Sequence, residues 1–175
     1  MSETVPIDIV ASDAPRATSS AASFEVFFER QREGLYRALW LVTRNRYEAE
    51  ELTQDAFVRV LERWDRVSAM ENPRGYLYRT AMNSFRTSYG RALLAAKRTM
   101  RLVPADDAIA MIEERDAAVR ALASLSPRQR AAVVLTDMLG FGSEEAGRML
   151  GIRASTVRMH TSRAHALLKE TMTRD

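Results

Sequence analysis

The chain of 175 residues contains no cysteine, only seven glycines and only five prolines. The absence of cysteine excludes disulfide bonds, thiolate metal sites and cysteine nucleophiles. No apolar run reaches the roughly 18 to 20 residues that a membrane span requires, and the N-terminus does not have the basic-then-apolar layout of a signal peptide. We therefore expect a cytoplasmic protein that makes no membrane contact.

Acidic residues are missing from two long segments, although the net charge of the whole chain is only +3. The first segment, residues 72–105, holds seven basic residues, and the second, residues 146–169, holds five. Phosphate neutralisation with counterion release supplies much of the affinity of proteins for nucleic acid, so two separated basic segments suggest two contacts with a polyanion. Solvated helix faces would carry the same charges.

The composition favours an all-α fold. Ala, Leu, Arg and Glu dominate long stretches, and no extended alternation of Val, Ile and Thr suggests strands. We predict two small helical domains, residues 23–93 and 118–175, joined by a flexible linker, residues 94–117. Residues 1–22, rich in Ser, Ala, Thr, Asp and Pro, are predicted to form a disordered N-terminal tail.

Several helix ends carry local signals. Ser23 is predicted to begin the first helix, and Leu61 is predicted to be buried in the second, which should run from about Tyr47 to Trp64. Asn72 can cap a helix that has Pro73 at its first position. In "SLSPRQRAAVVL", Ser126 and the Gln three residues later form a predicted capping box.

The stretch "GIRASTVRMHTSRA" is typical of the second half of a helix-turn-helix. Val157, Thr161, Ala164 and Leu168 recur at helical spacing and predict an inward face, with Gly151 in the turn. The exposed set predicted to contact DNA bases or phosphates comprises Arg153, Ser155, Thr156, Arg158, Met159, Ser162 and Arg163. "TVRMH" alone also resembles the recognition helices of response-regulator activators, so a free-standing activator is an alternative.

Four motifs together resemble a larger pattern. "AEELTQDAFVRVLERWD", "NPRGYLYRTAMNSFRTSYGR", "LSPRQRAAVVL" and "EEAGRMLGIRASTVRMHTSRA" resemble, in order and spacing, the bacterial sigma-70 superfamily of the extracytoplasmic-function (ECF) type. The resemblance extends from about Phe24 to Leu168 and implies that the two domains are sigma region 2 and sigma region 4. It implies a factor that binds core RNA polymerase, recognises the minus-ten and minus-thirty-five promoter elements, and promotes DNA melting.

The resemblance also implies roles for individual positions. Glu51, Gln54 and Asp55 match the helix that docks on the clamp coiled coil of the polymerase beta-prime subunit, while region 4 would sit on the flap of the beta subunit. Tyr78 is expected to be core, because it cannot face the same way as its neighbour two residues earlier. The positions predicted to bind the minus-ten element, as duplex and as melted single strand, are Arg74, Tyr76, Arg79, Asn83 and Arg86.

Catalytic function is not indicated by the sequence. No cluster of acid, base and nucleophile meets the demands of catalysis, and His160 and His165 have no further metal ligand at suitable spacing, so we predict no enzyme activity, cofactor or metal. A helical inhibitor or scaffold protein is a further alternative. Whether an anti-sigma factor binds the chain stays open at this stage.

Overall fold

The computed structural model describes the backbone of residues 14–99 and 121–173, and the side chains of residues 23–94 and 121–170. Within these ranges the chain is helical and contains no strand, which confirms the predicted all-α class. The helices are α1 (Ala14–Thr43), α2 (Arg46–Leu61), α3 (Trp64–Val67), α4 (Pro73–Thr99), α5 (Pro127–Val133), α6 (Ser143–Leu150) and α7 (Ala154–Thr173).

The first four helices form an N-terminal unit around a core to which α1, α2 and α4 contribute. Leu35, Leu39 and Val42 recur at helical spacing along α1 and are fully buried. An aromatic cluster extends this core: the Phe57 ring meets Phe28 edge-to-face at a centroid distance of 4.7 Å, and Trp64 meets Phe24 in the same way at 5.3 Å. Such edge-to-face pairs place a positive ring edge on a negative ring face.

Two predicted helix bounds in the N-terminal unit are wrong. Helix α1 begins at Ala14 and not at Ser23, because the Ala-rich stretch that was predicted as tail favours helix and Pro15 is tolerated in a first turn. Helix α4 continues to Thr99, into the segment predicted as linker. Residues 1–13 of the predicted tail and 100–120 of the predicted linker and domain boundary lie outside the described residues.

The second helix also ends earlier than predicted. Helix α2 stops at Leu61, whose side chain is 51% exposed, and Trp64 starts the separate short helix α3. This break turns Trp64 into the aromatic core while Leu61 stays on the outer face of α2. Our expectation that Leu61 is buried was therefore wrong.

The C-terminal unit consists of residues 121–125 and α5 to α7. The capping box is confirmed: Ser126 Oγ accepts from Gln129 N at 3.4 Å, and Gln129 Oε1 accepts from Ser126 N at 2.9 Å. A π-helical turn, Val134–Met138, follows α5, and Gly140 then takes the left-handed conformation at φ 74°. This reversal brings Phe141 back into the core.

The two units pack against each other to form one continuous core. Helix α5 lies against α1, and α6 lies against α4. Arg130 of α5 is 8% exposed and donates from Nε to the Val42 carbonyl at the end of α1 at 3.1 Å, and from Nη1 to the Leu125 carbonyl at 2.8 Å. A buried cation thus satisfies backbone acceptors in both units.

Candidate nucleic-acid and protein interfaces

Helix α2 separates a buried face from an exposed one. Ala49, Leu52, Ala56, Phe57 and Val60 are buried, whereas Glu51, Gln54 and Asp55, the predicted polymerase-binding residues, are all exposed. Sequence reasoning missed how apolar this outer face is. Tyr47, Val58 and Leu61 are 70%, 54% and 51% exposed.

These exposed residues follow a regular spacing. Tyr47, Glu51, Gln54, Val58 and Leu61 are separated alternately by four and three residues, so they form one stripe along α2. Contiguous exposed apolar side chains bounded by polar ones are typical of a protein contact surface. The period of the stripe was readable from the sequence, but the exposure of Leu61 depended on where α2 ends.

Helix α4 carries the predicted minus-ten residues, and the structure brings only some of them together. Tyr76, Arg79 and Asn83 lie on one face and line a cleft of about 370 Å³. Arg86 donates from Nη1 to Asn83 Oδ1 at 3.1 Å but lines a different cleft, beside α6. Arg74 points elsewhere, with its guanidinium 5.3 Å from the Tyr78 ring centroid and 5.1 Å from that of Phe141.

The rest of this cleft, called the basic cleft below, is lined mainly by arginines that sequence reasoning missed, with one acidic residue, Glu62, among them. Arg59 of α2, together with Arg63 and Arg66, faces Tyr76 and Arg79 across the opening. Arg63 Nη1 donates to the Tyr76 hydroxyl at 3.3 Å, and this hydrogen bond raises the pKa of Arg63. The three arginines are spaced by four and three residues in the sequence, but they belong to α2, the turn after it and α3, so the spacing alone does not place them on one face.

Tyr78 is confirmed as a core residue. Its side chain is 1% exposed and lies at the junction of the two units, with its ring centroid 5.5 Å from that of Phe141. Burial raises the pKa of the Tyr78 hydroxyl, with Arg74 opposing this effect. Tyr76, two residues earlier, faces the basic cleft instead.

The helix-turn-helix comprises α6, the turn and α7. Gly151 ends α6 in the left-handed conformation at φ 63°, as the predicted turn requires. Gly147 is needed for close approach, since a Cβ atom there would lie 2.8 Å from the carbonyl oxygen of Ile152. The cost of glycine within α6 is therefore offset by the tight packing of the turn.

The inward and outward faces of α7 are as predicted. Val157 and Ala164 are fully buried, while Thr161 and Leu168 are half-buried. Thr161 satisfies its hydroxyl by donating to the Val157 carbonyl at 2.9 Å. Thr156 is half-buried, and the other predicted minus-thirty-five residues are exposed: Arg153, Ser155, Arg158, Met159, Ser162 and Arg163.

The two histidines have different surroundings. Burial lowers the pKa of His160, and the nearby cations Arg128 and Arg163 add to this effect. His165 Nε2 lies 2.5 Å from Asp137 Oδ2, an interaction between α7 and the π-helical turn that sequence spacing did not suggest. Within the described residues, no group of three or more His, Asp or Glu side chains could hold a metal ion.

Comparison with known proteins identifies the class. The Sigma-70 region 2 family matches residues 27–93, and the Sigma-70 region 4 family matches residues 115–168. The chain belongs to the sigma-70 superfamily and, within it, to the ECF sigma factors. This family consists of transcription initiation factors, which are not themselves enzymes. A free-standing activator would need only the C-terminal helix-turn-helix, so it would not account for the match of residues 27–93 to region 2.

Individual relatives agree with this assignment. The chain is 31% identical over 150 residues to an RNA polymerase sigma-E factor from Streptomyces coelicolor, covering 84% of each sequence. It is also 31% identical over 152 residues to the ECF RNA polymerase sigma factor SigM from Mycobacterium tuberculosis, covering 83% of this chain and 75% of the relative.

Solved structures share the fold. The sigma factor RpoE from Bartonella quintana, in complex with the anti-sigma factor NepR, matches with a TM-score of 0.68 at 21% identity, over 87% of this chain and 98% of that one. CnrH, in complex with the cytosolic domain of CnrY, matches with a TM-score of 0.62 at 22% identity, over 91% and 95% of the two chains. No helix in the described part of the chain is long and apolar enough to span a membrane.

Proposed function

We propose that this ECF sigma factor binds core RNA polymerase through the outer face of α2, engages the minus-ten element through α4 and the basic cleft, and reads the minus-thirty-five element through α7. The observation that carries the proposal is that α2, α4 and α7 each bury one face and expose another whose chemistry suits one of these partners. The proposal includes opening of the promoter duplex beside the basic cleft.

The stripe on α2 suits a helical protein partner. Its alternating spacing of four and three residues is that of a coiled-coil seam, so it can align with the ridge of another helix. Tyr47, Val58 and Leu61 supply apolar area, while Glu51, Gln54 and Asp55 supply acceptors that set orientation. This chemistry is consistent with docking on the clamp coiled coil of the beta-prime subunit.

The basic cleft suits a melted DNA strand. Tyr76 offers an aromatic face on which a base can stack, and Arg59, Arg63, Arg66 and Arg79 surround it with cations for the phosphates. A cleft of about 370 Å³ that includes Asn83 as a polar group can accommodate an unstacked base. These features support strand capture as the route by which the upstream edge of the bubble opens.

The exposed face of α7 suits duplex DNA. Arg158 and Arg163 project from it, and a guanidinium can donate two parallel hydrogen bonds to a guanine edge or hold a phosphate. Ser155 and Ser162 can donate to phosphates beside them. Helix α6 packs against α7, and the first helix of a helix-turn-helix crosses the DNA backbone. Region 4 is expected to rest on the flap of the polymerase beta subunit.

An anti-sigma factor is a further proposed partner. Of the two proteins with similar folds, the sigma factor RpoE was solved with the anti-sigma factor NepR, and CnrH was solved with the cytosolic domain of CnrY. By likeness, an inhibitory protein that covers α2 or α4 would prevent this chain from reaching polymerase or promoter.

Promoter-specific run-off transcription with core polymerase tests the proposal. Combined Glu51→Ala, Gln54→Ala and Asp55→Ala substitutions should weaken core binding by ~10-fold or more, because they remove the polar contacts of the interface, while promoter choice stays the same. Glu50→Ala is the matched control, since this acid lies on the same helix with its carboxylate 3.0 Å from Arg46 Nε. A shift in promoter preference in the triple variant would contradict the assignment of α2.

Arg158→Ala gives an independent measurement on α7. If Arg158 reads a base, the change should relax selection at one minus-thirty-five position by about 1–3 kcal/mol; if it holds a phosphate, all sequences should weaken evenly with a flatter salt dependence. Unchanged affinity and unchanged selectivity would remove α7 from the proposed promoter contacts. Specific, tight duplex binding without core polymerase would favour the activator alternative instead.

A further inference from the structure

A second cleft, called the junction cleft below, lies where the later part of α4 meets α5 and the turn after α6. Its volume of about 310 Å³ is within the range of small-molecule sites, and it shares no lining residue with the basic cleft. Helix α4 contributes one wall, and Arg128, Ala131 and residues 150–152 contribute the others. A molecule held there would contact both units.

Much of the junction cleft is lined by apolar side chains. Phe85, Ala131 and Leu150 are buried, and Ile152 is half-buried. The Phe85 ring stacks on that of Tyr89, with a centroid distance of 5.9 Å and an angle of 24° between the ring planes. An apolar lining with an aromatic pair suits the body of a small organic molecule, which gains free energy by leaving water.

Two cations line the same cleft. Arg86 of α4 and Arg128 of α5 are both exposed, and the described residues of the lining include no Asp or Glu. Arg86 donates to Asn83 Oδ1, which is neutral, so this hydrogen bond leaves the charge of Arg86 available to an anion. The charge of the cleft is therefore positive, and its complement is an acidic group.

Gly90 keeps the junction cleft open. It lies within α4, one helical turn from Arg86 and one from Leu93, so these three positions share a face that lines the cleft. A Cβ atom on Gly90 would meet no atom within 4 Å, so close packing does not require a glycine there. Glycine weakens the interior of a helix relative to alanine. The open space in front of Gly90 is what a larger side chain would fill.

We propose that the junction cleft binds a small apolar carboxylate, with its acidic group held by Arg86 and Arg128 and its apolar body against Phe85 and Tyr89. A guanidinium can donate two parallel hydrogen bonds to a carboxylate. An inorganic anion would leave the apolar lining in water, and a neutral molecule would leave the two cations without a counter-charge. This site also gives a role to Arg86, which lies outside the basic cleft.

Titration calorimetry on the full chain tests the proposal with phenylbutyrate as the probe. Its phenyl ring can stack on the aromatic pair while its carboxylate reaches the cations. We expect saturable binding of one molecule per chain with a dissociation constant on the order of 0.1 mM. Phenylbutanamide, the neutral amide of the same shape, should bind ~10-fold more weakly or worse, and acetate, which lacks the apolar body, should show no saturation.

Two variants locate the bound probe. Gly90→Leu should abolish binding by filling the cleft, and its midpoint of thermal unfolding should not fall, because leucine favours helix more than glycine does. Arg128→Gln removes one cation at an exposed position and should weaken binding by ~10-fold. The matched control is Arg37→Gln, which removes an exposed cation from α1 and should leave binding unchanged.

Three results would overturn the proposal. Without saturable binding of phenylbutyrate, the junction cleft is not a site for this class of molecule. Equal binding of the amide would mean that the arginines select no anion. Unchanged binding by either Gly90→Leu or Arg128→Gln would place the probe elsewhere, and Arg128→Gln alone decides this point if Gly90→Leu lowers the midpoint of unfolding. The proposed function does not depend on these results, because the test measures only the binding of a small molecule to the free protein.

Discussion

The N-terminal and C-terminal units build their cores from different side chains. Of the six phenylalanines, two tryptophans and five tyrosines in the chain, only Phe141 lies after residue 100. The N-terminal unit has its own aromatic cluster, centred on Phe57 and Trp64. The C-terminal unit is filled instead by Ala, Val, Leu and Met side chains.

Two of the larger buried side chains in the C-terminal unit, Phe141 and Arg130, contact the N-terminal unit. Phe141 contacts Tyr78 and Arg74 of the N-terminal unit, and Arg130 donates to the Val42 carbonyl. Small aliphatic side chains bury less area per residue than aromatic ones, so a short unit built from them has less stability of its own. The difference indicates that the N-terminal unit is self-sufficient and that the C-terminal unit gains stability by docking on it.

Among the substitutions that test this difference, Phe57→Ala should have the largest effect on the free energy of unfolding. Phe57 is 4% exposed and meets Phe24, Phe27 and Phe28, so truncation leaves a cavity in the aromatic cluster. We expect the free energy of unfolding of the N-terminal unit to fall by about 3–5 kcal/mol. Urea titration followed by tryptophan fluorescence measures this unit alone, because both tryptophans lie in it.

The neighbouring residue is a control for this substitution. Val58→Ala changes a side chain that is 54% exposed, so its effect on the same transition should be within about 0.5 kcal/mol. Equal losses from both variants would mean that the aromatic cluster does not dominate the stability of the N-terminal unit.

Arg130→Ala should have the next largest effect, and it should act on the link between the units. Its loss leaves the Val42 and Leu125 carbonyls without this donor in a buried place, which costs about 1–3 kcal/mol. Hydrogen exchange should then increase throughout residues 143–170 while residues 46–61 stay protected. Arg130→Lys keeps the charge but cannot reach both carbonyls with a planar fork, so an intermediate effect is expected.

Equal hydrogen exchange in the two units would contradict the proposed difference in their stability. If Arg130→Ala increased exchange equally in both units, the C-terminal unit would be no more dependent on docking than its neighbour, and the chain would unfold as a single body.

Features set by neighbouring residues could be predicted from the sequence. The capping box of Ser126 and Gln129, the Gly151 turn and the inward stripe of α7 all follow from interactions within a few residues. The cap by Asn72 is likewise local, since its Oδ1 accepts from Gly75 N at 2.8 Å. In each case the energy that selects the conformation is available before any tertiary contact forms.

Features that depend on distant contacts could not be predicted. Arg74 matched the minus-ten set by position, but a ring 67 residues further along the chain, that of Phe141, draws its guanidinium away from the cleft. Arg59, Arg63 and Arg66 joined the site only because α2 ends at Leu61 and the chain turns there. Charge and period are visible in a sequence, whereas the direction in which a long cation points depends on what packs beside it.

The smallest expected effect is a difference in how the two units respond to acid. Burial, with help from Arg128 and Arg163, lowers the pKa of His160, so the folded C-terminal unit resists binding a proton that the unfolded chain accepts below about pH 6.5. Its stability should therefore fall as the pH decreases from about 7.5 to 5.5. Burial raises the pKa of Glu48 in α2, and a raised carboxyl pKa favours the folded state at lower pH, so the N-terminal unit should not weaken over this range.

Hydrogen exchange at several pH values, corrected for the intrinsic exchange rate, separates the two responses. The proteins to compare are His165→Gln and the double variant His165→Gln with His160→Gln. The chain has only two histidines, so the first protein keeps His160 alone and the second has no imidazole. The loss of protection in residues 143–170 on acidification should be present in the first protein and largely absent in the second. If both proteins lost protection equally, desolvation of His160 would contribute nothing to the acid response. The lower stability of the C-terminal unit would then come from its core and its docking contacts alone.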